Sequence, residues 1–552
     1  MSGYLTGVLV VLSFNIIAAY AVYLPLAAGQ LNLGIAGFMA IGAYASAFLT
    51  NEQAWPMWAA IPAGAVLAGL MGLLVGIPVL RTHGIYLAMA TFALGQVISA
   101  VFLNLELVGG AAGYPVSAYA GPYAVFAAAA GVVVLMIFIS RTRFALYLTA
   151  VKSDPTVADL MGLSVRGIQV AAFALGAMVA GFGGAFYAHH YNFIEAQHFN
   201  VLLSVFTVLY VLFGGTQSVL GPLVGAAFFT LVPELLRASD QWRYALFAMF
   251  IIIFMALRPQ GLVTTRLLRA LRRRAGGRPM MHAPMSAGTL SAGTLSASAL
   301  SASALSITGL SKSFAGVRAI RDLSFEVPKG HTTALIGPNG AGKTTVFNLV
   351  SGVYGVDAGT IVVNGIDITR MPSRRRIGTG IARSFQNIRL MSHLSVLENL
   401  LVGQHMRASS LQALVTPYRL FPNHRWKREA REALAESGLE RYGDDMVGAL
   451  PYGVRKRIDL VRATLAGASV LMLDEPAAGL NPSETNALRD HLKALMGKGL
   501  TMLVVEHDMH FVDSICAKVV VLNFGEKIAE GSLSQVRRDP RVREAYIGAD
   551  EE

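Results

Sequence analysis

Nine long apolar stretches follow one another through the first half of this 552-residue chain, and nothing else constrains its fold as strongly. They lie at about 5–28, 33–50, 55–80, 85–104, 122–140, 167–188, 199–213, 219–236 and 242–257. Most approach the ~20 residues that a helix needs to cross a bilayer. In residues 1–80 the only charged side chain is Glu52. The stretch at 199–213 is short and reads as spanning or re-entrant, so eight or ten spans are the alternatives to nine. Gly, Ala and Ser recur throughout, as in LNLGIAGFMAIGAYASAF, and small residues let helices pack closely in lipid. Buried helices of a soluble protein are the competing reading, and so long a series weighs against it. With 54% hydrophobic and 14% charged residues, the chain is too apolar for a soluble protein of its size. At least two domains follow, because from about residue 307 the sequence has the charge of an ordinary globular domain.

Lys and Arg set the expected orientation. Arg81, then Arg141, Arg143, Lys152 and Arg166, then everything after Leu257, fall on one side, which is cytoplasmic by that rule. Glu52, Glu106 and Glu195 fall on the other, with Arg237 and Arg243 as exceptions. No Asp, Glu, Lys or Arg sits in the middle of a span. That argues against proton or sodium coupling, which usually needs such costly groups, and implies a pathway without a strong charge-binding side chain. The connection 141–167 is long and basic. Its Asp154-Pro155 turn precedes the small-residue run Ala158-x-x-x-Gly162, and composition alone favours a solvated loop.

Residues 258–278 hold seven arginines and no acids. Beside a membrane domain such a run suits anionic lipid headgroups, at ~1 kcal/mol per residue near the surface, rather than nucleic acid. Residues 286–305 read SAGTL SAGTL SASAL SASAL. Four near-repeats without charge cannot bury a core and predict a flexible tether. The expected domains are a helical membrane domain over 1–265, a basic and repeat linker over 266–306, and an α/β phosphate-loop domain over 307–552. The lone Cys516 excludes an internal disulfide and reads as a small residue in a helix-to-strand connection.

In the last domain, TTALIGPNGAGKTT at 332–345 has an apolar strand entering Gly337-x-x-x-x-Gly342-Lys343-Thr344. Gly337, Gly340 and Gly342 let backbone N–H groups turn toward phosphate oxygens, with Asn339 and Thr345 in the same loop. The following helix adds its positive end. Lys343 reaches the β- and γ-phosphates of ATP, and the Thr344 hydroxyl ligates Mg²⁺. VLMLDEP at 470–476 carries Asp474 and Glu475 to the end of a buried strand, where ligands bind in open α/β sheets. Asp474 is the expected Mg²⁺ ligand and Glu475 the general base for the attacking water. TMLVVEHD ends a second strand at His507, placed for the γ-phosphate. SFQN supplies Gln386, able to reach both Mg²⁺ and the water. Phe314 is a candidate adenine platform or, nearly as readily, a core residue.

In this order and spacing, the phosphate loop, Gln386, LPYGV at 450–454, Asp474-Glu475, AAGLNP and His507 resemble an ATP-binding-cassette ATPase over nearly all of 307–552. EPAAGLNPSET, VVEHDM, LSVLENLLVGQH and the tail REAYIGA are similar to the ATPase subunits of branched-chain amino acid importers. GQLNLGIAGFMAIGAY, RTHGIYLAMATFALGQVI, FGGTQSVLGPLVGA and RPQGL resemble the permease of the same systems. The resemblance implies a fusion of permease and ATPase in a bacterial inner membrane, with a cytoplasmic cassette. It also turns 141–167 into the coupling segment on which the ATPase rests.

Further implications are head-to-tail ATPase pairs, each ATP lying between one phosphate loop and the partner's signature. Tyr452 and Gly453 would then serve the partner's ATP. The expected partners are a second permease, a second ATPase and an external substrate-binding protein, with a homodimer as the alternative. Branched-chain or related small amino acids are the first substrate class. Urea, short amides or aromatic acids follow within the family. An exporter half-transporter and a non-transporting ATP sensor are the other classes. In LPYGV the departures are Pro451, which offers neither hydroxyl nor N–H, and Val454.

Overall fold

Apolar side chains all around a segment force a helix to bury every face, in protein or in lipid. The computed structural model describes residues 3–237, 242–258, 261–264, 303–386, 388–408, 411–421 and 424–547, and each apolar stretch of its first half becomes helical. These are α1 (Gly3–Ala27), α2 (Ile35–Asn51), α3 (Met57–Val79), α4 (Ile85–Asn104), α5 (Pro122–Ser140), α8 (Val165–Tyr191), α9 (Val201–Gly214), α10 (Gly221–Leu235) and α11 (Arg243–Leu257). Among the described residues six helices are long and apolar enough to cross a membrane, including the segment Ala196–Gly214. Ile35–Asn51, Gly221–Leu235 and Ala245–Leu257 are shorter apolar helices. The basic run from residue 265, the repeats up to residue 302, Asn387 and the end of the tail lie outside the described residues.

The chain divides into two compact units, residues 1–152 with 165–288 and residues 153–164 with 289–552. In the first, α8 is the central helix and packs on α1, α2 and α3. Glycine makes that packing possible. A Cβ on Gly42 would lie 2.1 Å from the Gly181 carbonyl oxygen, and one on Gly184 would lie 1.9 Å from that of Met39. The two backbones therefore approach closer than any side chain would permit.

The connection 141–167 is not a plain loop. It forms α6 (Arg143–Ser153) and α7 (Pro155–Leu160). Asp154 caps α7 by accepting the Val157 N–H at 3.0 Å, Pro155 opens its first turn, and Gly162 leaves it at φ +90°. Segment 153–164 belongs to the second unit.

That unit has two sheets. An antiparallel one has the order β4-β3-β6-β7, from β3 (Ser303–Phe314), β4 (Val317–Pro328), β6 (Ala358–Val363) and β7 (Ile366–Asp367). β3 reaches back to Ser303, so residues 303–305 of the last repeat, expected in the tether, already form strand. The other sheet has the order β12-β11-β5-β10-β9-β8, from β5 (Thr332–Ile336), β8 (Ile381–Arg383), β9 (Val470–Asp474), β10 (Thr501–Val505), β11 (Lys518–Asn523) and β12 (Glu526–Gly531). All its neighbours are parallel except β11 and β12. β5, β9 and β10 are buried along their whole length, as expected for strands covered on both faces.

Candidate functional site

β5 and β9 flank β10, so their carboxyl ends open side by side. β5 delivers Gly337 into a loop that ends at Gly342, the N-cap of the helix Lys343–Ser351. Gly337 lies against β11, where a Cβ would come 2.1 Å from the Leu522 carbonyl oxygen. Gly340, at φ +80°, faces open space. Lys343 is buried, and its Nζ donates to the Gly337 and Pro338 carbonyls at 2.7 and 2.9 Å. Burial pulls its pKa down from the usual lysine value, while Glu475 and Asp474 push it back up. Thr344 and Asn339 are exposed and Thr345 is half-buried.

β9 ends in the carboxylates. Glu475 takes φ +48°, a conformation that is strained for anything but glycine. Four contacts hold it there. Its N–H donates to the Val505 carbonyl at 2.8 Å, and its carbonyl accepts Lys456 Nζ at 2.6 Å. Its side chain accepts Gln386 Nε2 on Oε2 at 2.8 Å and meets His507 Nε2 at Oε1, 3.1 Å away. Glu475, Gln386 and His507, the three residues expected to be catalytic, are thus brought together on one carboxylate.

Asp474 is buried, and its Oδ2 accepts Arg383 Nη2 at 3.0 Å. Burial raises its pKa above the usual carboxylate range and the guanidinium pulls it back. Its other oxygen, Oδ1, is buried without a hydrogen-bond partner among the described residues. A buried lone acceptor at the end of β9, with an exposed Thr344 hydroxyl and an open glycine face after β5, suits a hydrated cation on a polyphosphate, so the residues fit Mg²⁺ and ATP. Thr344, Gln386 and Asp474 are the residues that would hold the metal, which supplies charge neutralisation on the phosphates when bound.

The structure adds three residues that motif reading missed. Arg383 Nη1 also donates to Asn348 Oδ1 at 2.6 Å and Ser351 Oγ at 3.1 Å, tying Asp474 to the phosphate-loop helix. Its signal was a basic residue inside an apolar strand, IAR. Lys456 bonds Ala478 as well as Glu475. Buried Glu506 accepts the backbone N–H groups of Ala477 at 2.6 Å and His507 at 3.1 Å, fixing the segment after Glu475.

Tyr452 opens the helix Tyr452–Leu465 with Pro451 as its N-cap, at φ −55° and without a side-chain cap. Gly453 abuts Glu484, whose Oε1 would lie 2.2 Å from an added Cβ. Phe314 is exposed at the end of β3, edge-on to Tyr354 at 5.0 Å.

A phosphate loop and a carboxylate pair at the ends of a parallel sheet, carried with a separate unit of apolar helices, define an ATP-binding-cassette transporter with permease and ATPase on one chain. Residues 4–257 match the family model described as branched-chain amino acid transport system / permease component. Residues 320–478 match the ABC transporter model, and residues 526–552 match the model of the branched-chain amino acid ATP-binding cassette transporter. The chain belongs to the branched-chain amino acid ABC transporter family.

The high-affinity branched-chain amino acid transport ATP-binding protein BraF of Pseudomonas aeruginosa is 39% identical over 248 residues, 43% of this chain and 95% of that protein. The corresponding LivG protein of Escherichia coli K12 is 37% identical over 247 residues, with the same coverage. A crystal structure of a nucleotide-free ATP-binding cassette from an ABC transporter is 30% identical. It covers 45% of this chain and 99% of that one, at a TM-score of 0.41.

Proposed function

We propose that this chain imports branched-chain or related small amino acids or amides across the bacterial inner membrane, as one fused permease-ATPase half of an importer. Its helical half would span the membrane nine times, with the cassette in the cytoplasm and the basic segment against lipid headgroups. The observation that carries the reading is the convergence of Gln386 and His507 on Glu475, in a chain whose helical unit matches a permease model.

In this reading Gly337, Asn339, Gly340, Gly342 and Thr345 hold phosphate through the loop, and Phe314 stacks on adenine. Lys343 leaves the carbonyls of its own loop to neutralise phosphate oxygens. Glu475 takes the proton of the attacking water, with Gln386 orienting that water and His507 facing the phosphate that leaves. Tyr452 and Gly453 complete the ATP site of a second cassette. A second permease and an external binding protein complete the importer.

Coupling runs through α7. The Asp159 carboxylate accepts the Ser373 hydroxyl, and Arg389 Nη1 pairs with Asp154 Oδ2 at 3.4 Å. The test is uptake of labelled leucine into proteoliposomes holding the chain, its partner subunits and the binding protein. ATP-dependent accumulation is expected, competed by other branched-chain amino acids. Uptake competed only by urea, short amides or aromatic acids would shift the substrate class. Loss of solute would mean an exporter, and absence of ATP turnover with all partners present would mean a sensor.

A further inference from the structure

The permease unit contains a helix that begins inside the bundle. α1 ends at Ala27, residues 28–34 have no helical structure, and α2 starts at Ile35. Two neighbours fix its depth. Leu33 N–H donates to Thr91 Oγ1 at 3.0 Å, and Thr91 lies six residues into α4, about 9 Å along its axis. Ala36 N–H donates to Ser204 Oγ at 3.0 Å, and Ser204 lies ten residues before the end of α9, about 15 Å from it. By the charge asymmetry, α4 starts and α9 ends on the same side. The mouth of α2 therefore stands about 9–15 Å inside an apolar layer roughly 30 Å thick.

The mouth is polar and incompletely satisfied. Gly34 N–H donates to Asn32 Oδ1 at 2.8 Å, which holds the Asn32 amide at the start of the helix. Asn32 is 1% exposed, and its Nδ2 has no hydrogen-bond partner among the described residues. Gln30, two residues earlier and 2% exposed, has an Oε1 without a partner among the described residues. Among the described residues no acceptor meets the N–H groups of Ile35 and Gly37. Buried donors are nearly always paired, so an unmet amide at a helix start marks where an acceptor arrives. The acceptor favoured there is anionic, because the helix start carries partial positive charge and no Lys or Arg lies in mid-span.

We propose that the mouth of α2, with Asn32 Nδ2 and the first-turn N–H groups, receives the carboxylate of the transported solute. The inference rests on the import reading above. Where no Asp, Glu, Lys or Arg lies in mid-span, the charge of the solute is met by backbone and amide donors, and Gln30 Oε1 offers an acceptor to an ammonium.

The test uses the full chain, assembled with its partner subunits and binding protein in proteoliposomes. Uptake of labelled L-leucine and of labelled urea is followed for wild type, Asn32→Ser and Asn32→Leu. Serine keeps an oxygen for the Gly34 N–H and removes the Nδ2 amide, leaving only a hydroxyl one atom shorter that is engaged at Gly34; leucine removes both. Leucine uptake is expected to fall at least tenfold in Asn32→Ser, with its thermal midpoint and assembly unchanged, and at least as far in Asn32→Leu. Wild-type leucine uptake in Asn32→Ser overturns the proposal, even if Asn32→Leu fails to assemble. A fall in Asn32→Ser that tracks a lowered thermal midpoint assigns Asn32 a structural role and also overturns it. A wild-type complex that moves urea and no leucine removes the amino acid reading and this inference together. Unchanged variants of a leucine-moving complex remove this inference alone.

Discussion

Replacing Arg383 by methionine tests the least anticipated contact of the ATP site. The guanidinium spans Asp474 Oδ2 at 3.0 Å, Asn348 Oδ1 at 2.6 Å and Ser351 Oγ at 3.1 Å, with 8% of its side chain and 3% of that of Asp474 exposed. Methionine fills much of the volume and none of the charge. Removing one partner of a buried ion pair costs about 3–5 kcal/mol, because the other charge is stranded. Asp474 escapes part of that cost by taking a proton. Burial already raises its pKa, and Arg383 is the strongest opposing influence.

The sign follows from linkage. A carboxyl with a raised folded pKa gives stability that is present below its unfolded pKa and lost as pH rises through the folded value. The variant should therefore be most destabilised at the upper end of its pH range, whereas its metal affinity should improve there, because the deprotonated carboxyl is the ligand. Those opposite trends are the signature. At neutral pH the Mg²⁺ half-saturation of ATP turnover should rise at least tenfold, about 1.4 kcal/mol of lost metal binding. Arg383→Lys, which keeps the charge but not the fork, should recover part of it. The assay is denaturant unfolding of the purified full chain and Mg²⁺ titration of turnover, each at several pH values. An unchanged half-saturation together with an unchanged unfolding midpoint in Arg383→Met would refute the role given to this residue.

Glu475→Gln should retain ATP binding and lower hydrolysis at least ~tenfold, and unchanged turnover in a phosphate-release assay would remove Glu475 as the base. Asp159→Ala, which deletes the acceptor of the Ser373 hydroxyl, should cut leucine uptake at least ~fivefold at near wild-type basal ATPase; equal loss of both would deny α7 a coupling role. Pro451→Ser gives the signature helix a side-chain cap worth ~1 kcal/mol and should raise turnover about two- to threefold; no change would mean that the backbone suffices. Burial lifts the Cys516 thiol to about 12, so at pH 8 only about one molecule in ten thousand is thiolate. Folded protein should resist maleimide for hours and take up one equivalent when unfolded, as mass spectrometry would show.

What the sequence made legible was local. Continuous apolarity located the helices because a segment with no polar face has few alternatives. The phosphate loop was readable because its glycines, lysine and threonine are contiguous. Asp154-Pro155 was readable as a turn, but not that α7 would dock on the second unit, since its charges look like any solvated connection. Arg383 and Lys456 escaped notice for a different reason. Their partners lie 91 and 19 residues away in the chain, and only the parallel pairing of β8 with β9 makes the first contact adjacent. Pro451 changes meaning too. Its missing N–H falls at an N-cap, where the helix does not use one, so the helix itself loses nothing.

The position of α7 shows how a cassette can be sensed through two weak contacts. Asp159 meets Ser373, on the short helix Ser373–Arg376, and the buried Arg376 of that helix donates to the Leu349 and Val350 carbonyls at 2.6 and 2.9 Å. One end of α7 is thereby tied to the phosphate-loop helix. At the other end Asp154 meets Arg389, whose carbonyl accepts Arg462 Nη1 at 3.1 Å, and buried Arg462 pairs with Asp459 at 2.5 Å within the signature helix. The Arg389 pair is partly exposed and contributes about 0–1 kcal/mol, so α7 is not held by bond strength. It is held by bridging two segments, one anchored by buried Arg376 to the phosphate-loop helix and the other by buried Arg462 to the signature helix. A shift of the signature helix relative to the phosphate-loop helix must therefore move the two ends of α7 apart or turn it.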